Sequence, residues 1–161
     1  VFLLQMTDIG AVVEERPEPP RERHFTARVN NLLVKDRHQV ARATGDGRTQ
    51  LVDIRPADRF RGEAPEPRPG VRAGHVPGAL NLPYTDLLDP MSGTVLDAER
   101  LEARILAAGI DPSKPVIAMC GSGVTAGMLA LAMYLLGKRD VPVYDGSWAD
   151  WGSDESLPIE R

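Results

Sequence analysis

The chain has 161 residues, a mass of 17.5 kDa and a net charge of −4 at neutral pH. This length fits about one domain, and a composition of 42% hydrophobic and 26% charged residues is that of an ordinary globular protein. The mildly acidic charge argues against a partner nucleic acid, which attracts basic surfaces, and against an anionic membrane surface. The longest apolar run, residues 124–136, is too short to cross a bilayer and predicts a buried helix.

The chain contains a single cysteine, Cys120, which excludes an internal disulfide and a zinc site built on paired cysteines. Three scattered histidines show no metal-ligand spacing, so we expect neither a metal nor an organic cofactor. A lone cysteine is typical of a reducing compartment, and the first residues lack the basic segment and cleavage signature of a signal peptide. We therefore expect a cytoplasmic protein, with a mitochondrial location as the alternative.

The first 23 residues differ from the rest of the sequence. Residues 1–5 form a short apolar run, and residues 16–20 form a stiff, charged, proline-rich segment. We expect residues 1–23 to be a linker or the remnant of an upstream domain, and residues 24–161 to form the folded domain.

Strand and helix patterns alternate from residue 24 onward. Residues 24–29 alternate in polarity like a strand. Asn30 or Asn31 is expected to cap a helix that runs to Ala43. Residues 49–54 predict a buried strand, and the long proline-rich loop at residues 62–78 is of the kind that is usually functional or disordered. The side chains expected on the inner face of the first helix are Leu32, Leu33 and Val40.

The second half continues this alternation. Asp97 is expected to cap a helix that ends at Gly109, and the fully apolar residues 115–119 are typical of a central parallel strand. The side chains expected on the inner face of that helix are Leu101, Ile105 and Leu106. The remaining elements are strands at 79–82 and 141–144, a helix at 124–136 and a helical turn ending at Trp151. We predict an α/β fold with a mainly parallel central sheet and helices on both faces.

Cys120 stands where the central strand ends and a helix is predicted to follow. Ligand sites of open parallel sheets gather at the carboxyl ends of the strands. Gly121, Ser122 and Gly123 are small enough for their backbone N–H groups to surround a negative charge, and the same dipoles stabilise a thiolate. The alternative is a buried, inert thiol, which is the more common state of a free cysteine.

Two reactions suit a nucleophilic thiolate in such a loop. Phosphate-ester cleavage uses an arginine six positions after the cysteine, but Ala126 occupies that position and the next basic residue is Lys138. Sulfur transfer needs only the stabilisation of a monoanionic persulfide, which a short loop without arginine can supply. The sequence therefore favours sulfur transfer.

Four segments of the sequence are distinctive: DRFRGEAPEPR at 58–68, GHVPGA at 74–79, CGSGVTA at 120–126 and YDGSWADW at 144–151. They resemble, in the right order, the signatures of the mercaptopyruvate sulfurtransferases, a family of the rhodanese superfamily, with Asp150 where glutamate is usual. The resemblance implies a rhodanese-like fold and sulfur transfer from 3-mercaptopyruvate through a persulfide of Cys120. It also implies a thiol, cyanide or thioredoxin-like protein as the acceptor.

The resemblance further implies roles for individual residues. Arg59 and Arg68 match arginines that hold the carboxylate and carbonyl of the substrate, and guanidinium groups suit that task. Ser122 matches a serine that assists proton transfer from the substrate thiol. The other loop residues expected to contact the substrate are Gly121, Gly123, Val124 and Thr125. Structural rather than catalytic roles are expected for His75, Asp53, Trp148 and Trp151.

Members of this family usually carry two rhodanese domains in tandem, and residues 24–161 resemble the second, catalytic one. The N-terminal rhodanese domain is then a missing partner. Two alternatives remain. A thiosulfate:cyanide sulfurtransferase is disfavoured because its relatives have basic residues after the cysteine, where this chain has Gly121 and Ser122. The other alternative is a noncatalytic module that carries a persulfide or docks a partner.

Overall fold

The structure, a computed structural model, describes residues 30–45 and 47–161. The predicted linker at 1–23 and the predicted strand at 24–29 lie outside these residues. The described residues form five short strands: β1 (Val34–Lys35), β2 (Gln50–Asp53), β3 (Leu80–Asn81), β4 (Val116–Met119) and β5 (Val143–Tyr144). They make one parallel sheet in the order β1–β5–β4–β2–β3.

Helices cover both faces of this sheet, as predicted. All four residues of β4 are buried, because β4 lies between two layers of helices and its side chains alternate between them. Val116 and Ala118 join one hydrophobic cluster, whereas Ile117 and Met119 join the other. The helices are α1 (Arg37–Gly45), α2 (Ala57–Phe60), α3 (Ala98–Ala107), α4 (Gly127–Leu135) and α5 (Ser147–Trp151), with 3-10 turns at Asn31–Leu33 and Tyr84–Leu87.

Each helix layer contributes its own set of core side chains. On one face, α3 and α4 bury Leu101, Ile105, Leu129, Ala132 and Met133. On the other, α1 and α5 bury Val40, Trp148 and Trp151. The predicted packing role of both tryptophans is therefore confirmed. Of the helices in the described part of the chain, none combines the length and hydrophobicity of a membrane-spanning helix.

The predicted helix from Asn30 to Ala43 is wrong in its first half. Asn30 does cap, since its Oδ1 accepts from the N–H of Leu32, but the capped element is only a 3-10 turn. The chain then enters β1, which pairs with β5, and α1 begins at Arg37. A capping box sets this later start, because Asp36 and Gln39 exchange hydrogen bonds between side chain and backbone. Leu32 and Leu33 are consequently exposed rather than internal.

Two further helix predictions need correction in detail. Asp97 caps α3 as predicted, accepting from the N–H of Arg100 at 2.9 Å, but Leu106 is exposed. Leu101 and Ile105 are four residues apart and share a face, whereas Leu106 lies a further 100° around the helix. The helix predicted from residue 124 begins at Gly127, so residues 120–126 form a loop of their own.

Candidate active site

A cavity of about 240 Å³ lies at the carboxyl ends of β4, the central strand, and its neighbour β2. Cys120 follows β4 directly, and Ile54 and Arg55 follow β2. Parallel strands end at one edge of the sheet, so these residues meet there. The cavity is lined by Ile54, Arg55, Pro56, Arg59, Glu66, Pro67, Arg68, Val71, Tyr84, Cys120, Gly121, Ser122, Thr125 and Ala149.

The cavity brings together most of the residues that the sequence suggested. Those in its lining are Arg59, Arg68, Cys120, Gly121, Ser122 and Thr125. Gly123 and Val124 are not among the lining residues, and the Val124 side chain is exposed to solvent. Val124 would therefore contact a molecule in the cavity through its backbone rather than its side chain.

Cys120 is held in place through its backbone. Its side chain is almost fully buried, with 3% of the residue exposed. The N–H of Cys120 donates to Oγ of Ser147 at 3.1 Å, and its carbonyl accepts from the N–H of Trp148 at 3.0 Å. Gly121 is fixed in the same way, since its carbonyl accepts from the N–H of Ala149 at 2.9 Å. The start of α5 therefore anchors the cysteine loop.

Ser147 makes this anchor possible. It is fully buried and adopts a left-handed backbone conformation, with φ of 51°, which is uncommon for a residue other than glycine. Its hydroxyl donates to the carbonyl of Tyr144 at 2.8 Å while it accepts from Cys120. Sequence reasoning missed Ser147 as part of the site, although it lies within the segment YDGSWADW that carried the resemblance.

The cysteine loop leaves a row of backbone N–H groups available. Within the described residues, the N–H groups of residues 121–125 donate to no acceptor. Gly123 makes the turn that this arrangement needs, since its φ is 82° and an added Cβ would overlap the carbonyl oxygen of Asp145. Consecutive free N–H groups beside a thiol are suited to hold negative charge.

Arg59 faces this loop and is paired with Glu66. Its Nη2 donates to Oε2 of Glu66 at 2.5 Å and its Nε donates to Oε1 at 3.3 Å. A Cβ added to Gly121 would lie 3.2 Å from Nη2 of Arg59, so the missing side chain at Gly121 lets the guanidinium approach the loop. Sequence reasoning did not identify Glu66, although it stands between the two candidate arginines in the segment at 58–68.

Arg55 also borders the cavity, but its donors are used inside the protein. It donates to Asp53 through both Nε and Nη2, to Oε1 of Glu66 and to the carbonyl of Gly74, and it stacks 4.5 Å from the centroid of the Trp148 ring. Burial raises the pKa of Asp53, while the charge and hydrogen bonds of Arg55 act in the opposite direction. Only donors surround the two oxygens of Asp53, which is the environment of an ionised carboxylate. The predicted hydrogen-bonding role of Asp53 is confirmed.

Arg68, unlike Arg55 and Arg59, has no side-chain partner among the described residues. It is exposed at the cavity, and its guanidinium forms no hydrogen bond or ion pair with the part of the chain that the structure describes. It is therefore a cation with all five N–H groups available for a ligand.

His75 takes the structural role predicted for it. Its Nδ1 lies 2.9 Å from the carbonyl oxygen of Phe60, and its ring stacks on the Phe60 ring at a centroid distance of 3.8 Å. Its backbone exchanges two hydrogen bonds with Glu160, and it is absent from the lining of the cavity. Across residues 30–45 and 47–161, no three His, Cys, Asp or Glu side chains form a group that could hold a metal ion.

The chain is similar to known proteins over most of its length. The model of the rhodanese-like domain family matches residues 36–154. The chain is 40% identical over 149 residues to the 3-mercaptopyruvate sulfurtransferase of Escherichia coli (strain K12), covering 92% of this chain and 52% of that protein. It is 42% identical over 142 residues to the thiosulfate sulfurtransferase of Gallus gallus, covering 88% and 48% of the two chains.

The fold is similar to that of a solved relative as well. The crystal structure of SseA from Escherichia coli, described as a 3-mercaptopyruvate sulfotransferase with a rhodanese fold, matches with a TM-score of 0.68 and 35% identity. The match covers 91% of this chain and 53% of SseA. The chain thus spans about half the length of the curated relatives it matches.

Proposed function

The chain belongs to the rhodanese-like domain family, and on that basis we propose that it is a sulfurtransferase that takes sulfur from 3-mercaptopyruvate and passes it on from a persulfide of Cys120. The observation that carries the proposal is the position of Cys120. Its thiol lies in a cavity that also contains backbone N–H groups and the guanidinium of Arg68. None of these groups has a partner among the described residues. These groups suit an anionic substrate and an anionic persulfide.

In the first half-reaction the Cys120 thiolate attacks the sulfur of 3-mercaptopyruvate. A bond forms between the two sulfur atoms while the carbon–sulfur bond of the substrate breaks. The electron pair of that bond moves to carbon and gives the enolate of pyruvate, which takes up a proton and leaves as pyruvate. The proton of the substrate thiol balances this uptake, and Ser122, which lines the cavity, is proposed to pass it on.

Arg59 and Arg68 are proposed to bind the carboxylate and carbonyl of the substrate. Both line the cavity with Cys120, and both keep N–H groups that no described residue occupies. Guanidinium groups bind carboxylates through paired hydrogen bonds and also stabilise negative charge that develops on the carbonyl oxygen. Gly121, Gly123, Val124 and Thr125 are proposed to contribute through the backbone of the loop.

In the second half-reaction an acceptor thiolate attacks the outer sulfur of the persulfide. The sulfur–sulfur bond breaks, the acceptor leaves as a persulfide and Cys120 returns as a thiolate. A small thiol or a thioredoxin-like protein is the proposed acceptor. Cyanide, the third candidate, attacks the same sulfur through its carbon atom and leaves as thiocyanate. No step requires a metal or an organic cofactor.

Thiosulfate is the second candidate donor. The 42% identity to a protein named thiosulfate sulfurtransferase favours it, whereas the neutral Gly121 and Ser122 after the cysteine favour a donor with one negative charge. A persulfide carrier that receives sulfur from another protein is the noncatalytic alternative. We further propose that residues 24–161 are the catalytic unit and that an N-terminal rhodanese domain is its partner, with a cytoplasmic or mitochondrial location.

Mass spectrometry after incubation with 3-mercaptopyruvate tests the proposal. We expect Cys120 to gain the mass of one sulfur atom and pyruvate to appear in equal amount, while the Cys120→Ser variant does neither. Thiosulfate and a persulfide-bearing protein serve as the competing donors. Loading from the protein donor alone would support the carrier, and loading of the serine variant would overturn the mechanism.

A further inference from the structure

Among the described residues, Glu66 is the one acidic side chain in the lining of the cavity. Its side chain is only 4% exposed, and both carboxylate oxygens are engaged. Oε1 accepts from Arg55 at 2.8 Å and from Arg59 at 3.3 Å, and Oε2 accepts from Arg59 at 2.5 Å. A buried carboxylate beside a site for anions opposes binding of the ligand, so its presence there calls for a role.

The charges around the cavity can be counted from these contacts. Three guanidinium groups, those of Arg55, Arg59 and Arg68, are among the lining residues. Asp53 neutralises Arg55, and Glu66 neutralises Arg59. One positive charge, that of Arg68, is left without a partner among the described residues.

Glu66 also limits how Arg59 can meet a ligand. It occupies the edge of the guanidinium formed by Nε and Nη2. The edge formed by Nη1 and Nη2 remains, which fits one carboxylate or one carbonyl oxygen. Arg59 therefore acts as a directed hydrogen-bond donor, with most of its charge already balanced.

We propose that Glu66 is a specificity-determining residue. Its buried carboxylate leaves the arginines of the cavity with one net positive charge, counted apart from the Cys120 thiolate beside the backbone N–H groups, and so selects a monoanionic sulfur donor over a dianionic one. The inference rests on the proposed function. At neutral pH 3-mercaptopyruvate carries one negative charge, which matches the cavity. Thiosulfate carries two, and its second charge would lie near Glu66 with no guanidinium left to balance it.

The first test compares kcat/KM for thiosulfate and 3-mercaptopyruvate. Glu66→Gln keeps the size and an accepting oxygen but removes the charge, so we expect the ratio to move toward thiosulfate by about fivefold to twentyfold after screening. Glu66→Asp keeps the charge but is too short to hold Arg59 in the same way. In that variant kcat/KM should fall for both donors. The ratio of the two values should stay within about twofold of that of the wild type, because the charge at this position rather than its exact place sets the ratio.

Glu63→Gln is the matched control. Glu63 belongs to the same loop and pairs with an arginine at 2.7 Å, but its side chain is 57% exposed and lies outside the lining of the cavity. The donor ratio of this variant should equal that of the wild type. An unchanged ratio in a folded Glu66→Gln protein would overturn the inference, and so would an equal shift in Glu63→Gln.

A binding measurement separates this inference from the proposed reaction. In a Cys120→Ser background, calorimetry with 3-mercaptopropionate and with mercaptosuccinate compares a monoanion with a dianion when no sulfur can be transferred. The parent should bind the dianion no more tightly, and adding Glu66→Gln should favour the dianion by about fivefold or more. If the variant that carries Glu66→Gln does not fold, the Cys120→Ser protein alone decides: tighter binding of mercaptosuccinate than of 3-mercaptopropionate would overturn the inference. Failure of the wild type to load sulfur, with these binding results intact, would reject the proposed function alone.

Discussion

The three arginines of the cavity carry the same charge but have different partners. Arg55 is buried and satisfied by Asp53, Glu66 and a carbonyl group. Arg59 gives one edge to Glu66, and Arg68 has no partner within the described residues. The number of donors left over therefore decides which arginine can bind a substrate, and the two with donors left are those that the resemblance suggested.

Removing either of these arginines should weaken use of 3-mercaptopyruvate. Loss of a charge-assisted hydrogen bond costs about 1.5–3 kcal/mol, so Arg68→Ala should lower kcat/KM by about 10-fold to 100-fold. Arg59→Ala should lower it further, because Glu66 then keeps an unbalanced negative charge beside the substrate. Steady-state kinetics of both variants, with pyruvate as the measured product, checks this order.

Arg61→Ala is the control for both substitutions. Arg61 is two residues from Arg59, but its side chain is 52% exposed, pairs with Glu63 and lies outside the cavity lining. Its kcat/KM should stay within about twofold of wild type, as for most surface ion pairs. Wild-type kinetics in Arg59→Ala and Arg68→Ala would remove both residues from the proposed site.

The meeting of Cys120, Arg59 and Arg68 in one cavity could be predicted from the sequence, because all three lie in recognisable motifs. Glu66 could not, although it stands between the two arginines. A glutamate in a charged, proline-rich loop is usually solvated, and only the folded loop shows that this one is buried against two guanidinium groups. Ser147 was missed for a similar reason, since its left-handed conformation is a property of the packed loop.

At the scale of elements, the loop at residues 120–126 separates β4 from α4. The sequence predicted that the helix would begin at residue 124, because Val124 extends the apolar run. Gly123 turns the chain instead, and α4 begins at Gly127. This turn keeps the N–H groups of the loop out of the helix, so they remain available beside Cys120.

Replacing Gly123 should disrupt this loop. In Gly123→Ala the new Cβ would overlap the carbonyl oxygen of Asp145, and the φ of 82° is strained for alanine. Such strain costs of the order of 1–3 kcal/mol. We expect a lower free energy of unfolding in urea and a slower loading of Cys120 with sulfur from 3-mercaptopyruvate.

Gly127→Ala is the matched control for this prediction. Gly127 begins α4, and nothing lies within 4 Å of an added Cβ. Since alanine is the better helix former by up to about 1 kcal/mol, stability should be equal or higher and loading unchanged. Equal behaviour of the two variants would mean that the turn at Gly123 is not needed.

The start of α1 was predicted wrongly because local sequence patterns do not show which segments pair across the sheet. Leu32, Leu33 and Val40 have helical spacing, but residues Val34–Lys35 pair with β5 instead. That pairing involves residues more than 100 positions apart in the sequence, so tertiary contacts override the local preference. The capping box of Asp36 and Gln39 was a visible signal for the later start.

At the scale of the whole molecule, several surface carboxylates couple stability to pH. Hydrogen bonds from the backbone and side chain of Arg100 lower the pKa of Asp97, and hydrogen bonds from Ser156 lower the pKa of Asp154. A carboxylate whose pKa is lower in the folded state stabilises that state above its unfolded pKa, near 4. This stabilisation is lost as the pH falls through the folded pKa.

We therefore expect the free energy of unfolding to fall as the pH drops below about 4, the unfolded pKa of these carboxyl groups. Asp97→Asn keeps an N-cap but cannot titrate. The difference in free energy of unfolding between this variant and the wild type should therefore shrink as the pH falls below about 4. Urea unfolding at several pH values measures the difference. Glu102→Gln, on the exposed side of the same helix and without a hydrogen bond or ion pair to the described residues, should follow the wild type throughout. A constant difference for Asp97→Asn would contradict the prediction.

The class of fold could be predicted from the alternation of strands and helices, and the apolar β4 marked the centre of the sheet. The strand order β1–β5–β4–β2–β3 could not, because periodicity shows which face a residue occupies but not which strand is its neighbour. The resemblance of four motifs supplied the fold that periodicity left open. The cavity follows from the strand order, since it brings Arg55 after β2 next to Cys120 after β4.

The near-complete burial of the only cysteine has a consequence for the lifetime of stored sulfur. Cys120 has no second thiol in this chain with which a persulfide could collapse to a disulfide. On the proposed mechanism the loaded protein is then a reservoir of one sulfur atom, discharged only by a nucleophile that enters the cavity. How long the atom is kept depends on the concentration of external acceptors and on how readily their thiol groups reach the buried Cys120.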